Sequence, residues 1–389
     1  MLEAIADIGR DRRAGGYRRF AWSDADLTLR EWFAAEAAGR GMDVVEDGNG
    51  NQLAWWGTGA DAVLVGSHLD SVPDGGAFDG PLGVVSSFAA IDRLREQGVT
   101  PSRPVVVGNF ADEEGARFGI ACAGSRLAAG TLDADRALAL TDRDGLTMAE
   151  AMTRAGRDPR AAGPADWLDD IGTFVELHVE QGRSLVHSGD AVGVATAIWP
   201  HGRWRLDFHG EANHAGATVM ADRRDPMLAY AATALAARGI ASAAEARATF
   251  GRLAVEPGGT NAIASRVTAW LDARAADEDE LTALVDQIVG AAREAAQADG
   301  TTVELEAESV SPAVAFDVPL RDRLATVLDA PLLPTAAGHD AGVLSARVPT
   351  AMLFVRNPTG VSHSPDEWAD DADCEAGVEA LATVLEELT

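Results

Sequence analysis

The spacing of apolar positions changes twice along this chain. Short unbroken runs in the first half, Ala62-Val63-Leu64-Val65 and Pro104-Val105-Val106-Val107-Gly108, predict strands buried on both faces, and Gly83 to Arg95 predicts the helix after the first of them. Thr173 to Val179 repeats the strand pattern, and Ala351 to Val355 supplies another. Such alternation predicts an α/β catalytic domain with a mixed, largely parallel central sheet flanked by helices. Between Trp199 and Val310 the periodicity is different. Trp204 to Phe208 alternates as a strand, Asp225 to Arg238 is Ala-rich and helical, and Arg247 to Val255 and Arg266 to Leu271 read as strands. Asp277 to Ala296 is a long amphipathic helix, and Thr302 to Ala307 a last strand. That β-α-β-β-α-β order predicts a ferredoxin-like α+β domain, inserted as a lid or dimerisation module. The expected boundaries are 1–198 and 311–389 for the catalytic domain and 199–310 for the insert, a division that 389 residues favour over one core.

Composition narrows the chemistry. A formal net charge of −29 argues against nucleic acid or an anionic membrane as partner, since both require clustered cations. No lysine occurs, which excludes Schiff-base and pyridoxal-phosphate chemistry. Cys122 and Cys374 form neither a disulfide framework nor a paired metal spacing, so ligands must be oxygen and imidazole. The glycine pairs Gly75-Gly76 and Gly258-Gly259 are turn-like and lack a phosphate-loop pattern. With no run of eighteen apolar residues, and Arg12, Arg13, Arg18 and Arg19 followed by Ser23-Asp24-Ala25-Asp26 rather than an apolar stretch, a soluble cytoplasmic protein is expected.

The candidate chemistry lies just after the predicted strands. His68, Asp79, Glu114, His178 and His363 supply the imidazoles and carboxylates that a pair of divalent ions about 3.5–4 Å apart demands. Asp79, between Phe78 and Gly80 on a tight turn, is the expected bridge between the ions. Asp70, two residues after His68, is expected to accept the imidazole proton and fix its tautomer. Glu113 and Glu114 are neighbours, so in an extended segment one binds metal while the other, Glu113, moves protons as general base and acid. Each residue taken alone is more often a surface or satisfied core feature; their ordered conjunction is what points to a site. His187, His201 and His209 lack such company and keep the structural reading.

These motifs resemble the di-metal amidohydrolases related to aminoacylase and carboxypeptidase G2, within them the N-carbamoyl-L-amino acid hydrolase, β-ureidopropionase and allantoate amidohydrolase branch. Gly66 to Pro73, Gly76 to Gly83, Glu113 to Phe118, Glu176 to Gly182, Asn213-His214-Ala215-Gly216 and Gly338-His339-Asp340-Ala341 carry the resemblance over nearly the whole chain. It implies that His68 and His178 hold one ion, Glu114 and His363 the other, and Asp79 both. It also implies that His214 polarises the scissile carbonyl from the lid, that Gln181 faces the ureido group, and that Asn261 and Arg274 clamp a substrate carboxylate, with His339 a further substrate-binding residue. A salt-bridged strand end is the alternative for Arg274. His178, where peptidase relatives generally carry a carboxylate, points to ureido cleavage.

Two positions depart from the branch. Val219 stands where relatives commonly have Pro, and Arg356 before Val361-Ser362-His363 hints at a polar or second-carboxylate substrate. The resemblance implies two divalent ions per subunit, Zn2+ or Mn2+ with Co2+ or Ni2+ also accepted, a small ureido substrate bearing a carboxylate, and a homodimer formed through the lid. An aminoacylase or dipeptidase acting on ordinary amides is the alternative enzyme. A non-catalytic binding module should have lost a ligand or the base, and none is missing.

Overall fold

The computed structural model describes residues 2–389 and divides into two compact units: the chain up to Ala197 together with Ala315–Thr389, and Ile198–Val314 between them.

The first unit is built on a nine-stranded sheet. Its central strands lie side by side in the order Val105–Phe110, Ala62–His68, Ile171–Val179 and Thr350–Val355, and each neighbouring pair is parallel. Antiparallel strands flank them, Gln52–Trp56 against Val105–Phe110 and Val192–Ile198 against Thr350–Val355, so the sheet is mixed. The central strands are buried on both faces, as their unbroken apolar runs require. The helix Pro81–Glu96 packs on the Ala62–His68 strand and on the helix Asp371–Leu388, enclosing Val63, Val65, Phe88, Ile91, Leu353 and Leu381 in one core. Each such side chain contributes on the order of 1.5–3 kcal/mol by leaving water. Because the four central strands run the same way, their carboxyl ends share one edge, where loops can gather a site.

The second unit is a four-stranded antiparallel sheet ordered Thr302–Ser311, His201–His209, Arg266–Arg274, Arg247–Glu256, the ferredoxin-like arrangement. Strand alternation turns Leu206, Phe208, Val267, Ala269 and Leu271 toward Leu284, Ile288 and Ala292 of the helix Glu278–Ala298. The same alternation leaves Arg205, Asp207 and Arg266 on the opposite, polar face. Both helices of this unit begin at aspartate caps: Asp225 accepts from the Met227 amide and Asp277 from the Glu280 amide. Among the described residues no helix is long and apolar enough to cross a membrane.

Candidate active site

The carboxyl ends of the four parallel strands bring together residues widely separated in sequence. His68 is the last residue of its strand and His178 the last but one of the neighbouring strand. Glu113 and Glu114 follow Phe110 through a bend rather than an extended segment, with Asp112 at φ 53° reversing the chain. His363 lies in the loop after Val355, also left-handed at φ 56°. Asp79 precedes the helix Pro81–Glu96, and Gly80 between them is at φ 82°. A Cβ on Gly80 would stand 2.4 Å from the His68 ring, so only glycine lets the Asp79 turn close on that imidazole.

Two ligand groups result, His68 with Asp79 and His178, and Asp79 with Glu114 and His363; within each, the ligand atoms lie within 4.8 Å of one another. The two oxygens of Asp79 face different groups. Oδ1 is 3.5 Å from His68 Nε2 and 3.2 Å from His178 Nε2, and Oδ2 is 3.5 Å from His363 Nε2. His363 Nε2 is also 3.5 Å from Glu114 Oε2.

The tautomers follow from the backbone. His68 Nδ1–H donates to the Asp70 carbonyl at 3.1 Å and His178 Nδ1–H to the Val179 carbonyl at 2.9 Å. Each Nε2 is then a buried lone pair without a hydrogen-bond partner, turned toward a carboxylate oxygen. Lone pair facing lone pair needs a cation between them, and imidazole plus carboxylate is a donor set suited to a divalent transition ion.

The electrostatics point the same way. Burial, reinforced by neighbouring carboxylates, raises the Glu113 and Asp112 carboxyls well above the usual range and Glu114 to about 8. Burial opposes protonation of His68 and His178, yet both rise, His68 chiefly through Glu113 and His178 through Asp79. Acids and bases thus both call for positive charge in one place.

Asp70 takes the His68 imidazole proton through its carbonyl and does a second job with its carboxylate. Its carbonyl holds His68 Nδ1, while its buried carboxylate, 3.5 Å from that nitrogen, accepts the Glu113 and Glu114 amides at 3.1 Å each. It fixes the segment bearing both glutamates. Glu113 Oε2 stands 3.7 Å from His68 Nε2, and its Oε1 accepts from the Cys122 thiol at 3.3 Å. The Gln181 amide donates to Asp79 Oδ2 at 2.8 Å and to Ser362 Oγ at 3.2 Å, while its Oε1 is buried without a hydrogen-bond partner. His339 packs its ring 4.6 Å from that of His178, and burial, followed by the His178 charge, holds it neutral. Arg356 is turned away from any substrate role: it pairs with Asp373 through two contacts of 2.9 and 2.7 Å.

Two residues to which the sequence assigns no role also belong to this cluster. Glu176, at the head of the Glu176 to Gly182 motif, is buried and accepts from Ser67 Oγ at 2.7 Å and from the Ala341 amide at 2.8 Å, tying the Gly338-His339-Asp340-Ala341 segment to the sheet. Glu367 is buried against the Asp79 turn; its place four residues after His363 was the available signal.

In the second unit, His214 is exposed, and its Nδ1 accepts from the Gly216 and Ala217 amides at 3.0 and 3.2 Å. Its proton therefore sits on Nε2, free to donate. A two-residue ribbon pairs Asn213-His214 with Ala262-Ile263, setting Asn261 beside it, and the Asn261 carbonyl accepts from the Ala215 amide. Val219 has φ −64°, within the range that proline itself imposes. Arg274 forms a two-contact ion pair with Asp272 at 2.8 and 3.1 Å, the salt-bridged strand end that was its alternative reading.

Peptidase family M20/M25/M40 matches residues 64–387. The N-carbamoyl-L-amino acid amidohydrolase of Geobacillus stearothermophilus is 38% identical, over 98% of this chain and 95% of its own. The allantoate amidohydrolase of Escherichia coli (strain K12) is 31% identical over 100% of this chain and 96% of its own. A solved amidase of the hydantoinase/carbamoylase family from Burkholderia multivorans superposes with a TM-score of 0.89 at 29% identity, covering 100% of this chain and 96% of that one. The ordered ligand cluster on a mixed sheet and the match along most of the chain have one explanation: the chain belongs to Peptidase family M20/M25/M40.

Proposed function

We propose that this chain is a two-ion amidohydrolase that cleaves the terminal ureido C–N bond of an N-carbamoyl-L-amino acid or of allantoate, releasing ammonia and carbon dioxide. The observation that carries the reading is Asp79, whose two oxygens face separate ligand groups, with an imidazole at position 178. Full-length similarity to amidohydrolases named for those substrates supports it. His68 and His178 would hold one ion, Glu114 and His363 the other, and Asp79 both; zinc or manganese suits this donor set, and cobalt or nickel is also compatible with it. When bound, the ions lower the pKa of water and polarise the carbonyl.

The residues supply the rest. Glu113 takes a proton from water and delivers it to the departing nitrogen. The Cys122 thiol donates to its Oε1, which fixes the carboxylate on that side. Gln181 orients Asp79 and is left with a buried, unpartnered Oε1 that can accept a ureido N–H. His339, neutral and with a buried, unpartnered Nε2, is a second group for the substrate. His214 donates its Nε2–H to the oxygen on which charge develops.

Asn261 and Arg274 would bind the substrate carboxylate, and their spacing supports a dimer. Arg266 and Arg274 end one strand and stand about 26 Å apart, more than one small substrate spans, and the Ala262-Ile263 half of the His214 ribbon precedes Arg266 by three residues. If all three touch one substrate, they come from two copies of the chain. Both cysteines are free, which suits a cytoplasmic location. The test is ammonia release from a panel of allantoate, N-carbamoyl-L-amino acids and N-acetyl amino acids with manganese present. Turnover confined to ureido substrates is expected; preference for acetylated amino acids would move the assignment to an aminoacylase.

A further inference from the structure

Glu367 has no role in the function proposed above, yet it is 3% exposed and lies against the turn that carries the shared ligand. Its Oε1 accepts two hydrogen bonds at 2.9 Å each, from the Phe78 amide and from the amide of Asp79 itself. The neighbouring Trp368 sets its ring edge-on to Phe78, 5.8 Å between centroids, so two consecutive residues clasp the same turn. Gly76 makes room for the carboxylate: a Cβ there would lie 2.3 Å from Glu367 Oε1. Glu367 also closes the loop that carries His363, its amide donating to the Ser364 carbonyl at 3.1 Å.

We infer that Glu367 is a positioning residue that locks the Asp79 turn to the His363 loop, setting both ligands at once across nearly three hundred residues of chain. The inference rests on the two-ion reading. A carboxylate buried this completely is expensive; its Oε2 is left without a hydrogen-bond partner, and both bonds made by Oε1 go to the backbone that aims one ligand. Oε1 is a single acceptor reaching two amides, so the device depends on side-chain length and an oxygen acceptor more than on charge. An isosteric amide should replace it; a shorter acid should not.

The experiment is calorimetric titration of Mn2+ into chelator-stripped protein, comparing wild type with Glu367→Gln, Glu367→Asp and Glu367→Ala. Wild type is expected to take up two ions per chain; uptake of fewer overturns the two-ion reading and the inference with it. Given two, Glu367→Ala and Glu367→Asp should weaken at least one ion roughly 10- to 100-fold, the usual effect of losing a group that orients a ligand, while Glu367→Gln stays within about threefold of wild type. Should the Ala variant fail to fold, the Asp and Gln pair decides alone. Wild-type affinity in Glu367→Asp, or equal damage in Glu367→Gln and Glu367→Asp, overturns the positioning role.

Discussion

Replacing Asp70 separates the residue that arranges the site from the residues that do its chemistry. Its carboxylate is buried and accepts the Glu113 and Glu114 amides, both at 3.1 Å. Hydrogen bonds to a charged acceptor are worth about 1.5–3 kcal/mol each, so Asp70→Ala, which strands two amides, should cost about 3–6 kcal/mol. That is a large share of the 5–15 kcal/mol, roughly, that holds a domain together. Asp70→Asn keeps one carbonyl oxygen and should lose about half as much. Loosening the segment should also weaken metal binding about 10- to 100-fold, since Glu114 rides on it. Urea denaturation of the chelated protein gives the stability term, and manganese titration the affinity term. A loss below about 1 kcal/mol in Asp70→Ala with unchanged metal affinity would refute the assignment of Asp70 to the glutamate segment.

Three further outcomes are expected. Glu113→Gln should lower turnover by about 10²–10⁴ while metal content by elemental analysis stays at the wild-type value. His214→Ala, at an exposed position, should cost about 10²–10³ in kcat without shifting the melting temperature; a matching loss of stability would contradict a role on substrate. Asp207 titrates at about 2: burial raises its carboxyl, but bonds from Thr268, Arg266 and Arg205 lower it further. Its stabilisation, about 2 kcal/mol, is then present above the ordinary carboxyl range near pH 3.9 and lost as pH falls through about 2. The stability gap between wild type and Asp207→Asn, read by denaturant titration, should therefore close between pH 4 and 2.

The elements that position the site were readable because their physics is local. Unbroken Val- and Leu-rich runs have only a doubly covered sheet to occupy, and the carboxyl ends of parallel strands share one edge, so His68, Glu114 and His178 could be brought together from spacing. What escaped depends on where the chain turns. Whether the Asp70 carbonyl or carboxylate meets His68 is decided by the bend after the strand, and the reversal at Asp112 then delivers two amides to the spare carboxylate. Arg356 could not be placed because Asp373, on another element, claims it. Arg274 is different: Asp272 and Arg274 share one face of a strand, so their pairing was open to the period-two rule.

The central claim is that hydrolysis runs through ions held by His68, Asp79, Glu114, His178 and His363. Its most direct test strips the protein with a chelator, follows ammonia release from an N-carbamoyl-L-amino acid and from allantoate, and then restores manganese or zinc in counted equivalents. The account predicts loss of turnover in the stripped protein and recovery that saturates at two ions per chain; full turnover by the ion-free protein would contradict it.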